Sequence, residues 1–166
     1  MSIEAARPRK ARRPRVPSHF FVFVVVVHDG HVLLVREAKH GQLWYCPAGG
    51  MEPGETIEAA ALRETQEEAG VTVAPAGLLR VEQQWFPNPH VADGDAGLSS
   101  WWRFVLRANV VGDPSPKSWA DEHSLEARWV RPAEIPRLAL RHPEVIELVR
   151  LALGPAPAVP LVPLVA

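Results

Sequence analysis

The sequence predicts an α/β chain of the α+β type, and three stretches carry that reading. Phe20–Val27 is an unbroken β-branched and aromatic run, and Asp29-Gly30 turns it back into His31–Arg36 as a buried hairpin. Residues 56–69 are rich in Ala and Glu and hold neither Gly nor Pro, which predicts a helix. Trp101–Val111 alternates its side chains in the period of a strand.

In chain order, residues 1–17 form a basic arm. Arg7, Arg9, Lys10, Arg12, Arg13 and Arg15 stand against Glu4, a net +5 that leaves −6 for the remainder. Such an arm is expected to be disordered, with contact to nucleic acid as its alternative use. The folded domain is expected over 18–154. Its hairpin ends at Arg36, which reads either as a solvated strand terminus or as a side chain facing a phosphate. A short strand through Trp44–Cys46 then delivers the chain to Pro47 and the glycines at 49 and 50, with Cys46 a small packed residue rather than a nucleophile.

Thr56 is the expected N-cap of the helix, although Ala59 leaves the capping box incomplete. Leu62, Thr65 and Ala69 are assigned to its core side. Leu78–Trp85 is the next expected strand, and the loop over 86–100 is long enough to be functional or mobile. On Trp101–Val111 the face made by Trp102, Phe104, Leu106, Ala108 and Val110 is assigned to the core. The other face holds Trp101, Arg103, Val105, Arg107 and Asn109, where an aromatic ring and two guanidiniums suit a base-stacking and phosphate-holding wall. A second loop over 111–124 leads to a strand at Leu125–Arg131, then a helical turn from Pro132 through Ile135. An amphipathic helix follows over His142–Leu153, with Pro143 at its start and Gly154 past its end. The tail, 155–166, alternates Pro with apolar residues.

Composition excludes several classes. Hydrophobic content of 47% with 22% charged residues is that of a globular protein. The longest apolar run, Phe20–Val27, has eight residues, against the roughly 20 of a spanning helix, so no membrane partner is expected. The single cysteine, Cys46, allows no internal disulfide and no cysteine-based zinc site, and a reducing, cytoplasmic compartment is expected. Nothing in the pattern chooses between a monomer and a homodimer.

The chemistry is concentrated in GGMEPGETIEAAALRETQEEAGV, residues 49–71. Glu64, Glu67 and Glu68 stand at i, i+3 and i+4, so their carboxylates share one side of the helix and repel one another by a few tenths of a kcal/mol per pair. Hard oxygen donors gathered this way suit a divalent cation such as Mg2+. The Gly-rich lead-in lets a backbone carbonyl approach the same place. An acidic helix face is ordinarily just solvated. Seven residues at fixed spacing, however, arise by chance at roughly 10^-8 per starting position.

That spacing, G-x5-E-x7-R-E-U-x-E-E-x-G-U, resembles the signature of the Nudix hydrolase family at every fixed position: Gly49, Glu55, Arg63, Glu64, Glu67, Glu68 and Gly70, with Thr65 and Val71 in the hydrophobic slots. The lead-in PAGGMEPGET is similar to that of members acting on oxidised guanine nucleoside diphosphates. The resemblance implies a mixed β-sheet sandwiched between helices. It implies metal-dependent cleavage of a phosphoanhydride in a nucleoside diphosphate linked to a further group X, by water attack on phosphorus. The favoured substrate is a purine nucleoside di- or triphosphate, oxidised guanine included.

Under the same resemblance Glu67 and Glu68 are the primary metal ligands, and the Gly49 carbonyl and Glu122 are further ligands, with Glu126 as the alternative to Glu122. Glu64 is either a ligand or the general base. Arg63 pairs with Glu55 to hold the loop against the helix, and Glu55 and Gly70 are structural. Mg2+ is the expected ion and Mn2+ the alternative; Arg36, Trp101 and Arg103 are the expected substrate contacts. Two other functions fit the pattern. One is an ADP-ribose or nucleotide-sugar pyrophosphatase, for which Pro87 lies near a proline such members carry. The other is a non-catalytic nucleotide- or RNA-binding regulator, against which the intact helix glutamates argue.

Overall fold

A computed structural model of the chain describes residues 16–90, 97–155 and 159. The arm up to Arg15, all of the tail beyond Pro155 except Val159, and part of the 86–100 loop lie outside the described residues. The strands are β1 (Ser18–His28), β2 (His31–Glu37), β3 (Trp44–Tyr45), β4 (Ala48–Gly50), β5 (Val73–Pro87), β6 (Leu98–Val110) and β7 (Ser124–Val130); the helices are α1 (Ile57–Ala69) and α2 (Glu144–Leu153). One mixed sheet runs β3-β2-β1-β6-β5, with β4 added to β1 and β7 to β2. β1 and β6 are parallel from Ser18 to Val27, and the other pairs are antiparallel.

The hairpin forms where the sequence placed it. Asp29 and Gly30 have φ of 45° and 72°, the pair of positive values that a two-residue turn needs to match strand twist. Val22, Val24 and Val26 of β1 then pack with Leu33 and Val35 toward α1, while Phe23 and Val25 pack with Val32 and Leu34 toward α2. A sheet covered on both faces is why this run lacks alternation. The expectation fails at its start, where Phe20 and Phe21 are 44% and 39% exposed, and weakens at its end, where Val27 is partly buried.

Thr56 caps α1, its Oγ1 accepting from the Ala59 N–H at 3.1 Å. Thr56→Ala is expected to lower stability by about 1 kcal/mol, read as a lower urea midpoint at unchanged slope. The core assignment on this helix needs correction. Leu62 is 39% exposed, whereas Ala60, Ala61, Thr65 and Ala69 are buried together with Glu64 and Glu68. Small residues at 60 and 61 let the helix lie close to the sheet, which turns the face centred on Glu64 inward and Leu62 outward.

Two further expectations are overturned. β5 begins at Val73, not Leu78, and with β6 it takes Phe86, Pro87 and residues 98–100 out of the expected long loop. Pro75 and Gly77 concealed this start; the ladder tolerates them because β5 is at the sheet edge and shifts register between Pro75 and Gly77. On β6, Leu106 and Ala108 are core as expected, but Val105 on the opposite face is equally buried. It packs under α2, whose Val145, Leu148 and Val149 close that side. Among the described residues no helix is long and apolar enough to cross a membrane.

Candidate active site

β4 carries the glycine lead-in alongside β1, with Phe21 opposite Gly50 and Val22 opposite Gly49. This presses Gly49 onto α1, where a Cβ would overlap the Glu64 carboxylate. Glycine is required here by close approach rather than by backbone angle. The next residue back, Ala48, donates its N–H to Glu68 Oε2 at 3.0 Å.

Arg63 ties the lead-in to the helix. Its Nε and Nη2 donate to the two oxygens of Glu55, both at 2.9 Å, and Nη2 also donates to the Gly50 carbonyl at 2.8 Å. Nη1 donates to Glu64 Oε1 at 2.8 Å and to Glu67 Oε2 at 3.2 Å. The hydrogen bonds from Arg63 hold the Glu55 carboxyl below its ordinary range. The guanidinium is thereby committed in a planar fork, for which Lys would be no substitute.

Glu64 and Glu68 are 8% and 9% exposed. Burial raises both carboxyls: Glu64 despite the Arg63 contact, and Glu68 to about 8 despite the Ala48 N–H. Glu67 is more exposed, and of Glu64, Glu67 and Glu68 only the last lines the adjoining cavity. Among the described residues no three His, Cys, Asp or Glu side chains converge on one point as a ready cation cage, because Arg63 holds Glu64 and Glu67. The donor set nevertheless fits a divalent cation. Glu68 is a buried carboxylate short of positive charge, and the Gly49 carbonyl and helix carboxylates are hard oxygens. A cation there would take over part of what Arg63 now compensates.

The far wall comes from the loop before β7, which is clamped to the last turn of α1. The four terminal carbonyls of that helix are all satisfied: Gln66 by Gly70 N–H, Glu67 by Lys117 Nζ, Glu68 by Ser124 Oγ and Ala69 by Lys117 N–H. Gly70 has φ of 72°, and a Cβ on it would stand 3.0 Å from Lys117 Cβ, so it both ends the helix and admits the loop. Lys117 Nζ also reaches Asp121 Oδ2 at 2.6 Å, which holds the Asp121 carboxyl down to about 2. Asp121 Oδ1 accepts from the His123 and Ser124 N–H groups. Nothing local in the Pro- and Ser-rich loop sequence signals that Lys117 is buried.

A cavity of about 420 Å³ lies between these parts. Gly49 and Glu68 line one side, Glu122 and His123 another, and Phe21, Tyr45 and Trp101 form an aromatic wall. Glu122 thus stands on the cavity with Glu68, its side chain 86% exposed. Glu126 does not line the cavity. It pairs with Arg36 at 3.7 Å across the β2–β7 ladder and with Arg128 at 3.8 Å on its own strand, and Arg36 is held off the cavity with it.

Trp101 and Arg103 both reach the cavity wall, as their strand face requires. Arg103, however, is spent on protein groups. It donates to Glu82 Oε2 at 2.6 Å, to both oxygens of Glu144 at 2.6 and 2.7 Å, and to Tyr45 Oη at 2.9 Å. Sequence reasoning missed Tyr45, Glu37 and Arg141 as wall residues; Arg141 Nη1 donates to Glu37 Oε1 at 2.6 Å across more than a hundred residues of chain. No local pattern connects the two.

A NUDIX domain profile matches residues 17–149. The human 8-oxo-dGDP phosphatase NUDT18 is 38% identical over 155 residues, covering 91% of this chain and 44% of that protein. The chain therefore spans less than half the length of this relative. Phosphatase NudJ of Shigella boydii serotype 4 is 33% identical over 134 residues, covering 80% of this chain and 81% of that one. Among solved structures, a NUDIX hydrolase from Nitrosomonas europaea superposes with a TM-score of 0.67 at 28% identity, covering 87% of this chain and 93% of the other.

Proposed function

The chain belongs to the Nudix family of hydrolases, and from that premise we propose that it cleaves the phosphoanhydride of an oxidised purine nucleoside diphosphate. The observation that supports this most is the single cavity that joins Gly49, Glu68 and Glu122 to an aromatic wall of Phe21, Tyr45 and Trp101. Its volume is in the range of small-molecule sites. The PAGGMEPGET lead-in and the likeness to 8-oxo-dGDP phosphatases support the choice of base.

Family members work with a divalent metal. Here Glu67, Glu68, Glu122 and the Gly49 carbonyl would hold it, with Glu64 as a further ligand or the base that takes a proton from water; hard oxygens favour Mg2+, with Mn2+ second. When bound, the ion offsets the site's negative charge, polarises the phosphoryl oxygens and lowers the pKa of the attacking water. Arg63 keeps Glu64 and Glu67 in place and pins the Glu55 loop. Trp101 and its aromatic neighbours stack the base. Water adds to phosphorus, the bridging oxygen leaves with its electron pair, and the products are the nucleoside monophosphate and inorganic phosphate.

The test is a substrate panel with Mg2+ or Mn2+: 8-oxo-dGDP, dGDP, 8-oxo-dGTP, ADP-ribose and a nucleotide sugar, with phosphate, pyrophosphate and monophosphate followed. The expected result is a kcat/KM for 8-oxo-dGDP at least tenfold above the others. Preference for ADP-ribose or a nucleotide sugar would overturn the substrate assignment. Binding without turnover of any compound would make the domain a nucleotide-binding regulator.

A further inference from the structure

The guanidiniums on the cavity wall are engaged with protein carboxylates, Arg103 fully and Arg141 in part. Arg103 serves Glu82, Glu144 and Tyr45; Arg141 gives one N–H to Glu37 and is 37% exposed; Arg63, which serves Glu55, Glu64, Glu67 and Gly50, does not line the cavity. Arg36 is off the cavity. On the same wall stand Glu37, Glu68 and Glu122, so an anionic ligand without a local cation would be repelled.

The remaining cationic candidates on the cavity wall are Lys39 and His40, both exposed, with His123 beside them. Among the described residues no ion pair uses Lys39 or His40. They are carried by an unusual turn between β2 and β3. His40, Gly41 and Gln42 have φ of 56°, 78° and 60°, three consecutive left-handed residues of which two are not glycine. The turn is closed by Gln42 N–H to the Lys39 carbonyl at 3.3 Å and, at its neck, by Glu37 N–H to the Leu43 carbonyl at 3.1 Å. Ala38 N–H reaches the His123 carbonyl at 3.5 Å, so the turn adjoins the Glu122 loop. Side-chain-bearing residues adopt this conformation uncommonly, and runs of it cluster at active sites and ligand clamps, where the surroundings hold them.

We propose that Lys39 and His40 form the subsite for the terminal phosphate of the nucleoside diphosphate, a proposal that rests on the function given above. The left-handed turn presents the ammonium and imidazole to the cavity next to Glu122, while the aromatic wall of Trp101, Phe21 and Tyr45 takes the base. Lys39 supplies a charge-assisted contact to phosphate oxygens, with no carboxylate ion-paired to it among the described residues. The terminal phosphate is one side of the only phosphoanhydride in a nucleoside diphosphate, so this contact bears on the reacting group as well as on binding.

The experiment is steady-state hydrolysis of 8-oxo-dGDP with Mg2+ by the full chain, together with the inhibition constant of 8-oxo-dGMP, which lacks the terminal phosphate. Lys39→Met is expected to lower kcat/KM for 8-oxo-dGDP about tenfold, with the 8-oxo-dGMP inhibition constant unchanged within about twofold. Lys39→Arg is expected to restore most of kcat/KM. Lys39 is exposed, so thermal unfolding should match wild type and exclude a folding defect. An unchanged kcat/KM, or an equal rise in the 8-oxo-dGMP constant, would overturn the subsite while leaving the function intact. Failure of the wild-type protein to hydrolyse 8-oxo-dGDP would overturn the function and the subsite together.

Discussion

Glu68→Gln is expected to lower turnover at least tenfold and, in the absence of divalent metal, to make the protein more stable at pH 8. The two effects have one cause. Glu68 is 9% exposed and its carboxyl is raised from 4.5 to about 8, chiefly by burial, with Glu64 and Glu37 adding to the shift. A carboxyl raised by folding favours the protonated folded state. Its destabilising contribution is absent below the unfolded value near 4.5, grows as pH rises, and is complete above about 8. The variant's advantage should therefore be negligible near pH 4.5 and largest above pH 8, on the order of a few kcal/mol.

Divalent metal should reverse the order. A cation bound to the folded state stabilises the wild type in proportion to its affinity, and the variant, lacking the Glu68 charge proposed to hold it, should gain less. Thermal melts of both proteins across pH 4.5 to 9, with EDTA and with Mg2+, read this directly. A variant that is less stable than wild type at pH 8 in EDTA would refute the charge-strain argument, and wild-type turnover would remove Glu68 from the site.

Arg103→Met is expected to destabilise the protein by about 3 kcal/mol, the cost of taking the main cationic partner from two half-buried carboxylates. Glu144 at the start of α2 depends on this guanidinium, and Glu82 on β5 shares it with Arg80 at 2.7 Å; the guanidinium is only 14% exposed. The same group hydrogen-bonds Tyr45 and lies over the rings of Phe23 and Trp101 at 5.5 and 5.7 Å. For a chain of this size the loss corresponds to a Tm lower by roughly 6 to 12 °C. If Tm instead stays within a degree and KM for the nucleotide rises, Arg103 is a substrate contact and its role as the joint between sheet and α2 is wrong. Glu144→Gln, which removes charge from the other end, should recover part of the lost stability in the double variant.

The two arginines show where sequence reading stops. Arg63 and Glu55 lie eight residues apart on a motif whose spacing defines their geometry, and the structure pairs them in a planar fork. Arg103 was legible as a residue on the cavity-facing side of a strand, and it is there. Its partners, Glu82 and Glu144, are 21 and 41 residues away on separate elements, so its commitment to them followed from packing alone.

The same division runs through the fold. Short-range signals specified the Asp29-Gly30 turn, the Thr56 cap, the extent of α1, and the end of α2 at Gly154, because each depends on backbone angles and hydrogen bonds within a few residues. The start of β5 did not declare itself, since Pro75 and Gly77 are acceptable only at an edge whose partner is β6. Leu62 satisfied the helical period yet faces outward, because the approach of β4 chose which side of α1 to bury.

By itself the sequence determined the family: the glycine, arginine and glutamates of residues 49–70 sit at spacings that only a helix following a tight loop converts into one chemical group. Tertiary structure decided what that group faces. It buried Glu64 and Glu68 against the glycine strand, used Lys117 and Ser124 to bring Glu122 across the cavity, withdrew Arg36 and Arg103 into protein contacts, and left Lys39 beside the opening. Local spacing governs neighbours on one element. The charge balance of a cavity is a sum over elements brought together by the sheet, and no stretch of sequence contains it.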